Sequence, residues 1–385
     1  MYQVVEDNKQ WIDETWEKID SKLQKVCVRS RNKIPYTTIK GVHDDVSQEK
    51  PGWWTNGFWG GMMWLMYQAT ENEDYKKTAL RSEELLNKSL ETYKTMHHDV
   101  GFLWKLTSVA NYRITQNESA CNKSLFLAST LFSRFNIEGK FIRAWNSYGT
   151  DHRSKTWTII DTMMNLPLLY WASREIGDDR FAKVAMRHAD MVIRDHIRPD
   201  GAVNHVVEHD EHTGELVKLH PGQGYGVGSA WSRGASWAVY GMALSYIHTN
   251  QQRYLDAAIR AADYFIENCK KTNYLTVIDF LAPEEPVYYD SSAGVCAACG
   301  IIEIAKALGG ERGEYYMGEA IKILKATDAN FCDYTDDEDA LVLMASNRYP
   351  CDGNYLDMVH MPIIYSDFFF VEAILKLKGS DFLIW

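Results

Sequence analysis

At 385 residues, with 46% hydrophobic and 24% charged side chains, the chain has the composition of a globular protein able to bury a large core, which excludes a mainly disordered or low-complexity polypeptide. Asp plus Glu (52) outnumber Lys plus Arg (41), and the net charge of -11 argues against nucleic acid or an anionic membrane as the main partner. A small anionic substrate remains open.

From the N-terminus, MYQVVEDNKQWIDETWEKI has no basic stretch followed by an apolar run, and no later stretch approaches the length of a membrane span, so a cytoplasmic address is expected. Further along, six segments open on Trp, Asp, Gly or Ser and continue as helices too apolar all round to face water. They are WWTNGFWGGMMWLMYQA near Trp54, HHDVGFLWKLTSVANY near Asp99, IIDTMMNLPLLYWAS near Asp161, AWSRGASWAVYGMALSYI near Trp231, DSSAGVCAACGIIEIA near Asp290 and IIYSDFFFVEAILKL near Asp367. Between them lie charged amphipathic helices. In QRYLDAAIRAADYFI the apolar residues Leu255, Ala258, Ile259, Ala262, Phe265 and Ile266 form one helical stripe, and DDRFAKVAMRHADMVIRDHI and EYYMGEAIKILKATDANF repeat the pattern.

The alternation predicts an all-α protein, one domain over 1–385, built as an (α/α)6 barrel of six helical hairpins with inner apolar and outer amphipathic layers. An open solenoid is the alternative. In the barrel every inner helix turns its N-terminal end, with unpaired backbone donors, to one mouth. One segment breaks the helical pattern. From Arg198 to Ser229, RPDGAVNHVVEHDEHTGELVKLHPGQGYGVGS mixes alternating Val and His with turn residues and reads as a short β-hairpin plus loop inserted over the mouth. It carries His205, His209, His212, His220 and Gln223.

Asp161 sits among Ile159, Ile160, Met163 and Met164, where desolvation would keep its carboxyl protonated as a general acid. The competing reading is a helix N-cap, which the residues alone favour. Asp99 in HHDVGF poses the same choice, and the two carboxylates could converge to divide acid from base work. Trp54, Trp59, Trp145, Trp231 and Trp237 offer flat faces for sugar rings, although any one Trp is more often core. Arg233, flanked by Ser232 and Gly234, has room to meet a carboxylate, either of a substrate or of a structural Asp.

The seven Cys residues (27, 121, 269, 296, 299, 332 and 351) are odd in number and scattered, which fits reduced thiols. Cys296 and Cys299 form a CxxC inside an apolar run and read as buried helix residues. The histidines of the insert lack the spacing of a metal site, so neither metal nor other cofactor is expected. No P-loop, dinucleotide fingerprint, nucleophile elbow or Cys-His signature occurs.

Taken together, WTNGFWGGMMW, HHDVGF, IIDTMMNLPLLYWAS, GAVNHVV, GQGYG and WSRGASWAVYG resemble the unsaturated glucuronyl hydrolases, glycoside hydrolase family 88, from about Trp54 to about Asn268 and more weakly beyond. The resemblance implies the same barrel and an enzyme that removes a 4,5-unsaturated uronic acid from lyase-generated oligosaccharides by hydrating a vinyl ether. Residue by residue, it implies that Asp161 is the general acid and base and Asp99 the second essential Asp. His205, Gln223 and Arg233 would contact the uronate or the reacting water, and Trp54, His98, Trp145 and Trp237 would line the sugar subsites. An acidic protein binding an anion must concentrate positive charge at the mouth, a part given to Arg233, His98 and His205.

The related unsaturated rhamnogalacturonyl hydrolases typically read RGNGW where this chain has Arg233 to Trp237 as RGASW, which favours the glucuronyl group. A sugar epimerase would need paired His bases on the inner helices, and a non-catalytic scaffold would tolerate loss of Asp161. The segment CDGNYLDMVHMPIIYSDFF lacks a Ser, Lys or Arg cluster for a sulfate, so unsulfated or lightly sulfated substrates are expected. Monomer and homodimer both remain open.

Overall fold

The computed structural model describes residues 2–146 and 153–385. Among the described residues, six apolar stretches form an inner ring: Asn56–Thr70, the continuous run Val100–Trp104, Lys105–Val109 and Ala110–Thr115, then Leu166–Ile176, Ser232–Thr249, Ser291–Leu308 and Ile364–Leu377. Each packs on the next, and the last packs on the first, so the ring closes and the solenoid alternative falls. Outside lie Lys9–Arg29, Glu73–Leu86, Glu118–Phe132, Arg180–Asp195, Gln252–Lys271 and Gly310–Phe331. The result is an (α/α)6 barrel.

The pairing differs from six successive inner-then-outer hairpins. Among the described residues the outer helix beside the last inner helix is not one that follows it in the chain but Lys9–Arg29, which packs on Ile364–Leu377 and completes the outer layer there. It is locked by Lys22 Nζ, which donates to the carbonyls of Asp333 (2.6 Å) and Ala340 (2.7 Å), and by Trp11 Nε1, which donates to Asp328 (2.8 Å). The apolar stripe of Gln252–Lys271 faces inward as its periodicity requires, with Leu255, Ala258, Ala262, Phe265 and Ile266 buried.

Inner helices reach their outer partners through tight turns. Glu71, Gln116, Gly177 and Asn250 take left-handed conformations at the ends of inner helices, and Asn72 and Asn117 cap the outer helices that follow. The return connections, 30–55, 87–99, 196–231, 272–290 and 332–363, with the described parts 133–146 and 153–165 of another, are long and lead back to the opposite end. A site there is therefore made of loops on a rigid ring.

The expected hairpin is present as Val206–His209 against Leu216–His220, and it gains a third strand, Trp157–Ile159, paired to Val206–His209. That strand runs straight into the turn Ile160–Met164 carrying Asp161. Ser291–Leu308 is, at 18 residues, long and apolar enough to cross a membrane, contrary to the sequence expectation, yet it is buried between its ring neighbours. Cys296 and Cys299 lie fully buried on it.

The barrel axis is filled by aromatic rings. Trp385 is inserted along it, stacked on Phe369 (6.0 Å, 10°), and its Nε1 donates to Glu372 (3.1 Å). Phe102 and Trp237 lie above, 5.5 Å apart, and Trp54 covers them.

Candidate active site

The long connections enclose a cavity of about 500 Å³ above this aromatic column. Its wall includes Trp54, His98, Asp99, Trp145, Asp161, His205, Gln223 and Arg233, which the sequence had scattered over nearly two hundred positions.

Asp99 occupies the N-cap position of Val100–Trp104, but its carboxylate makes no capping bond. Asn165 takes over that task, accepting from the Phe102 amide through Oδ1 (2.7 Å). The same side chain donates through Nδ2 to Asp99 Oδ1 (3.2 Å) and to the Asp161 carbonyl (3.3 Å), joining the two Asp-bearing turns. This closeness explains Gly101 in HHDVGF: a Cβ there would lie 2.5 Å from Asn165 Cα.

Asp99 Oδ2 faces His97 Nδ1 at 3.2 Å and His98 Nε2 at 3.4 Å. Burial pushes the Asp99 carboxyl up, but His98, His97 and Asn165 outweigh it and hold the group below the usual carboxylate range. Burial likewise depresses His98 to about 4, against the pull of Asp99, so its ring is neutral near pH 7. Thr162 Oγ1 fixes that ring at Nδ1 (2.9 Å).

Asp161 is placed differently. Its Oδ2 is buried and, among the described residues, has no hydrogen-bond partner; the cap reading therefore fails here too. His205 Nε2 lies 3.3 Å away, also without a hydrogen bond. The Gln223 amide donates to His205 Nδ1 (2.9 Å), so a neutral ring carries its proton on Nε2, facing Asp161. Trp231 backs the ring at 4.1 Å. Gly222 makes this contact feasible, with φ +60° and a Cβ position only 2.1 Å from His205 Nδ1.

Arg233 lines the cavity wall, and the carboxylate it meets in this structure is that of Asp290. It is 1% exposed, paired to Asp290 at 2.8 Å, and donates to the carbonyls of Ser346 and Asn347. Its charge is thus balanced and His98 is neutral, so of the three residues expected to supply positive charge at the mouth these two do not add a net cation. Arg348, on the cavity wall and over Tyr355 at 4.5 Å, is the cation that expectation missed. Asn347 next to it accepts from Gln223 Nε2 through its carbonyl (2.6 Å) and donates to Tyr36 (3.0 Å).

Trp237 does not reach the wall. It is fully buried beneath Trp54, as are Trp59 and Trp231 in the core. Of the insert histidines, His205 and His220 face the cavity. His220 stacks on Trp157 at 4.0 Å, while His209 turns inward to Thr158 (2.9 Å) and His212 is exposed. Asn165 and Trp157 stood within quoted or adjoining motifs, a polar residue in an apolar run and an aromatic in a short alternation. Asn347 and Arg348 come from a non-repeating loop and left no such signal.

The profile of Glycosyl Hydrolase Family 88 matches residues 26–246. The chain belongs to this family. It is 32% identical over 329 residues to the unsaturated glucuronyl hydrolase of Bacillus sp. (strain GL1), spanning 84% of this chain and 86% of that one. It is also 34% identical over 260 residues to the unsaturated chondroitin disaccharide hydrolase of Streptococcus pneumoniae, spanning 66% and 64%. The crystal structure of the Bacillus sp. GL1 enzyme, responsible for the degradation of glycosaminoglycan, superposes with a TM-score of 0.84 at 29% identity, over 94% of both chains. That of the Streptococcus agalactiae unsaturated glucuronyl hydrolase gives 0.85 at 25% identity, over 97% and 93%. The family 88 resemblance of the motifs and the barrel expected from their alternation are both borne out, and this chain is a glycoside hydrolase.

Proposed function

We propose that this family 88 hydrolase releases 4,5-unsaturated glucuronic acid from the non-reducing end of glycosaminoglycan oligosaccharides produced by lyases, hydrating the C4=C5 vinyl ether with Asp161 as general acid and base. The observation that carries the proposal is the contrast between two carboxylates on one wall. Among the described residues Asp161 Oδ2 accepts no hydrogen bond, with His205 Nε2 3.3 Å away, and can exchange a proton, whereas Asp99 is held ionised by His98, His97 and Asn165. Asp161 gives its proton to C4, and positive charge spreads over C5 and the ring oxygen, where anionic Asp99 stabilises it. Water then yields a proton to Asp161 and adds at C5, and the resulting hemiketal opens and expels the sugar. His205, its proton directed at Asp161, orients that carboxyl. Trp54 and Trp145 pack the sugar faces, Gln223 and Arg233 contact the uronate, and Trp237 supports Trp54 from below.

The substrate class is drawn from the names of the relatives, unsaturated glucuronyl and chondroitin disaccharide hydrolases. The test mixes the protein with unsaturated disaccharides from hyaluronan, chondroitin, heparin and pectin lyase digests and follows the ultraviolet absorbance of the enoate. Loss with the hyaluronan or chondroitin product is expected. Loss with the pectin product alone would move the enzyme to the rhamnogalacturonyl group, and no loss with any would end the proposal. The preference for unsulfated sugars is retained, with Arg348 on the wall making the sulfated chondroitin product its sharpest test. Faster turnover of that product than of its unsulfated counterpart would reverse the preference.

A further inference from the structure

We propose that His97, His98 and Asp99 form a binding site for a borderline divalent cation such as Zn2+, and that the cation inhibits the enzyme by taking Asp99 and blocking the cavity wall. One atom from each residue, His97 Nδ1, a His98 ring nitrogen and a carboxylate oxygen of Asp99, falls within 4.8 Å of the other two. The separations to Asp99 Oδ2 are 3.2 Å from His97 Nδ1 and 3.4 Å from His98 Nε2. Zinc bonds to imidazole nitrogen and carboxylate oxygen of about 2.0–2.2 Å at tetrahedral angles put neighbouring ligands about 3.3–3.5 Å apart, so the loop is already close to the required spacing.

Two other atoms of these side chains are held by neighbouring residues, while His97 Nδ1 accepts from the Asp99 amide at 3.4 Å, a long bond that the ion would displace. Asn165 Nδ2 engages Asp99 Oδ1 and leaves Oδ2 for the ion. Thr162 Oγ1 sits 2.9 Å from His98 Nδ1, and a hydroxyl can accept as well as donate, so on metal binding Nδ1 can take the ring proton and release Nε2, 3.4 Å from Asp99 Oδ2, to the ion. His97 is half-buried, and all three residues line the cavity, through which an ion can reach them. Two nitrogens and one oxygen favour zinc or cobalt over magnesium or calcium, which take oxygen ligands.

Binding can be read without activity; only the inhibition rests on the hydrolase proposal. Protein dialysed against EDTA is titrated with Co2+ and followed by visible d–d absorption, then challenged with Zn2+, for the wild type, His97→Ala and Thr162→Val, each checked for an unchanged melting curve. One cobalt per chain, displaced by zinc, is expected. His97→Ala, which removes a ligand, should weaken binding at least about tenfold, and Thr162→Val, which removes only an orienting partner, roughly 10–100-fold. Zn2+ should raise the KM for the unsaturated disaccharide, and EDTA should restore it. No absorption band, equal affinity in His97→Ala, or zinc bound without effect on a working enzyme would each overturn the proposal. If the metal-free protein consumes no enoate, the hydrolase reading fails by itself and the cobalt titration still decides the site.

Discussion

Two carboxylates share one cavity with opposite surroundings, and the difference predicts different consequences of neutralising Asp161. Asp161→Asn is isosteric and removes no hydrogen bond to Oδ2, so the fold should survive with its melting temperature unchanged. General acid–base catalysis contributes about 10²–10⁴-fold, and kcat on the unsaturated disaccharide should fall by roughly that factor. Retention of activity would remove Asp161 from the mechanism. Gly222 tests the orientation of His205. Gly222→Ala must displace the ring, because the new Cβ would lie 2.1 Å from Nδ1 at a φ of +60°. A displacement of about 1 Å near the chemistry can cost on the order of 10²-fold, and kcat/KM should drop accordingly. Gly226→Ala, in the same loop with nothing within 4 Å, is the control and should behave as wild type.

Among elements, the loop around Gln223 depends on a carboxylate outside the cavity. Asp279 accepts from the amides of Tyr225, Ala230 and Leu281, each at 3.0 Å, and so pins the connection that carries Gln223 to the wall. Asp279→Ala should loosen this stretch, seen as faster amide hydrogen exchange over 221–230 while the inner helices stay protected. Uniform exchange across the molecule would show that Asp279 supports the whole barrel instead. The N-terminal helix depends on Lys22 in a comparable way. Lys22→Met keeps the buried stem but strands the carbonyls of Asp333 and Ala340, at about 1–3 kcal/mol for each buried group left unpaired. A denaturant midpoint equal to wild type would contradict the anchoring role.

For the whole molecule, buried histidines give stability a direction in pH. Burial holds His43, His98 and His196 near 4, and His188 and His248 are depressed by the same cause. An unfolded His titrates at about 6.5, so between that value and 4 the unfolded chain binds protons that the folded one refuses. Stability is therefore full above about 6.5 and is lost as the pH falls toward 4. Asp367, pushed up to about 7 by burial, acts in the opposite sense over the same window, as do Asp44 and Asp290, which burial also raises, but the depressed histidines, joined by His209 and His360, outnumber them. The melting temperature should fall steadily from pH 6.5 to 4, as a single transition if 1–385 is one domain. A flat or rising profile would contradict the assignment of these rings as neutral.

The alternation of all-apolar and one-faced helices was enough to indicate two layers, because burial on every side or on one side is written locally, in a helix's own residues, whereas closure of the ring rests on the last inner helix packing on the first. The six inner-helix openings were legible for the same reason, as were most of the wall residues, since all but the loop positions sit at those openings. Tertiary structure alone decided the rest. That Asp99 is not a cap depends on Asn165, brought across from the Asp161 turn to satisfy Phe102 and free the Asp99 carboxylate, while Asp161 lies inside its own turn, whose cap position is Ile159. That Arg233 is balanced depends on Asp290, more than fifty positions away, and that Trp237 is core depends on the aromatic column built around Trp385. Likewise the sixth outer helix comes from the N-terminus, because closing a ring makes the two ends of the chain neighbours. Such pairings between distant residues leave no period along the chain, and only their meeting in space determines which charges and rings the substrate can reach.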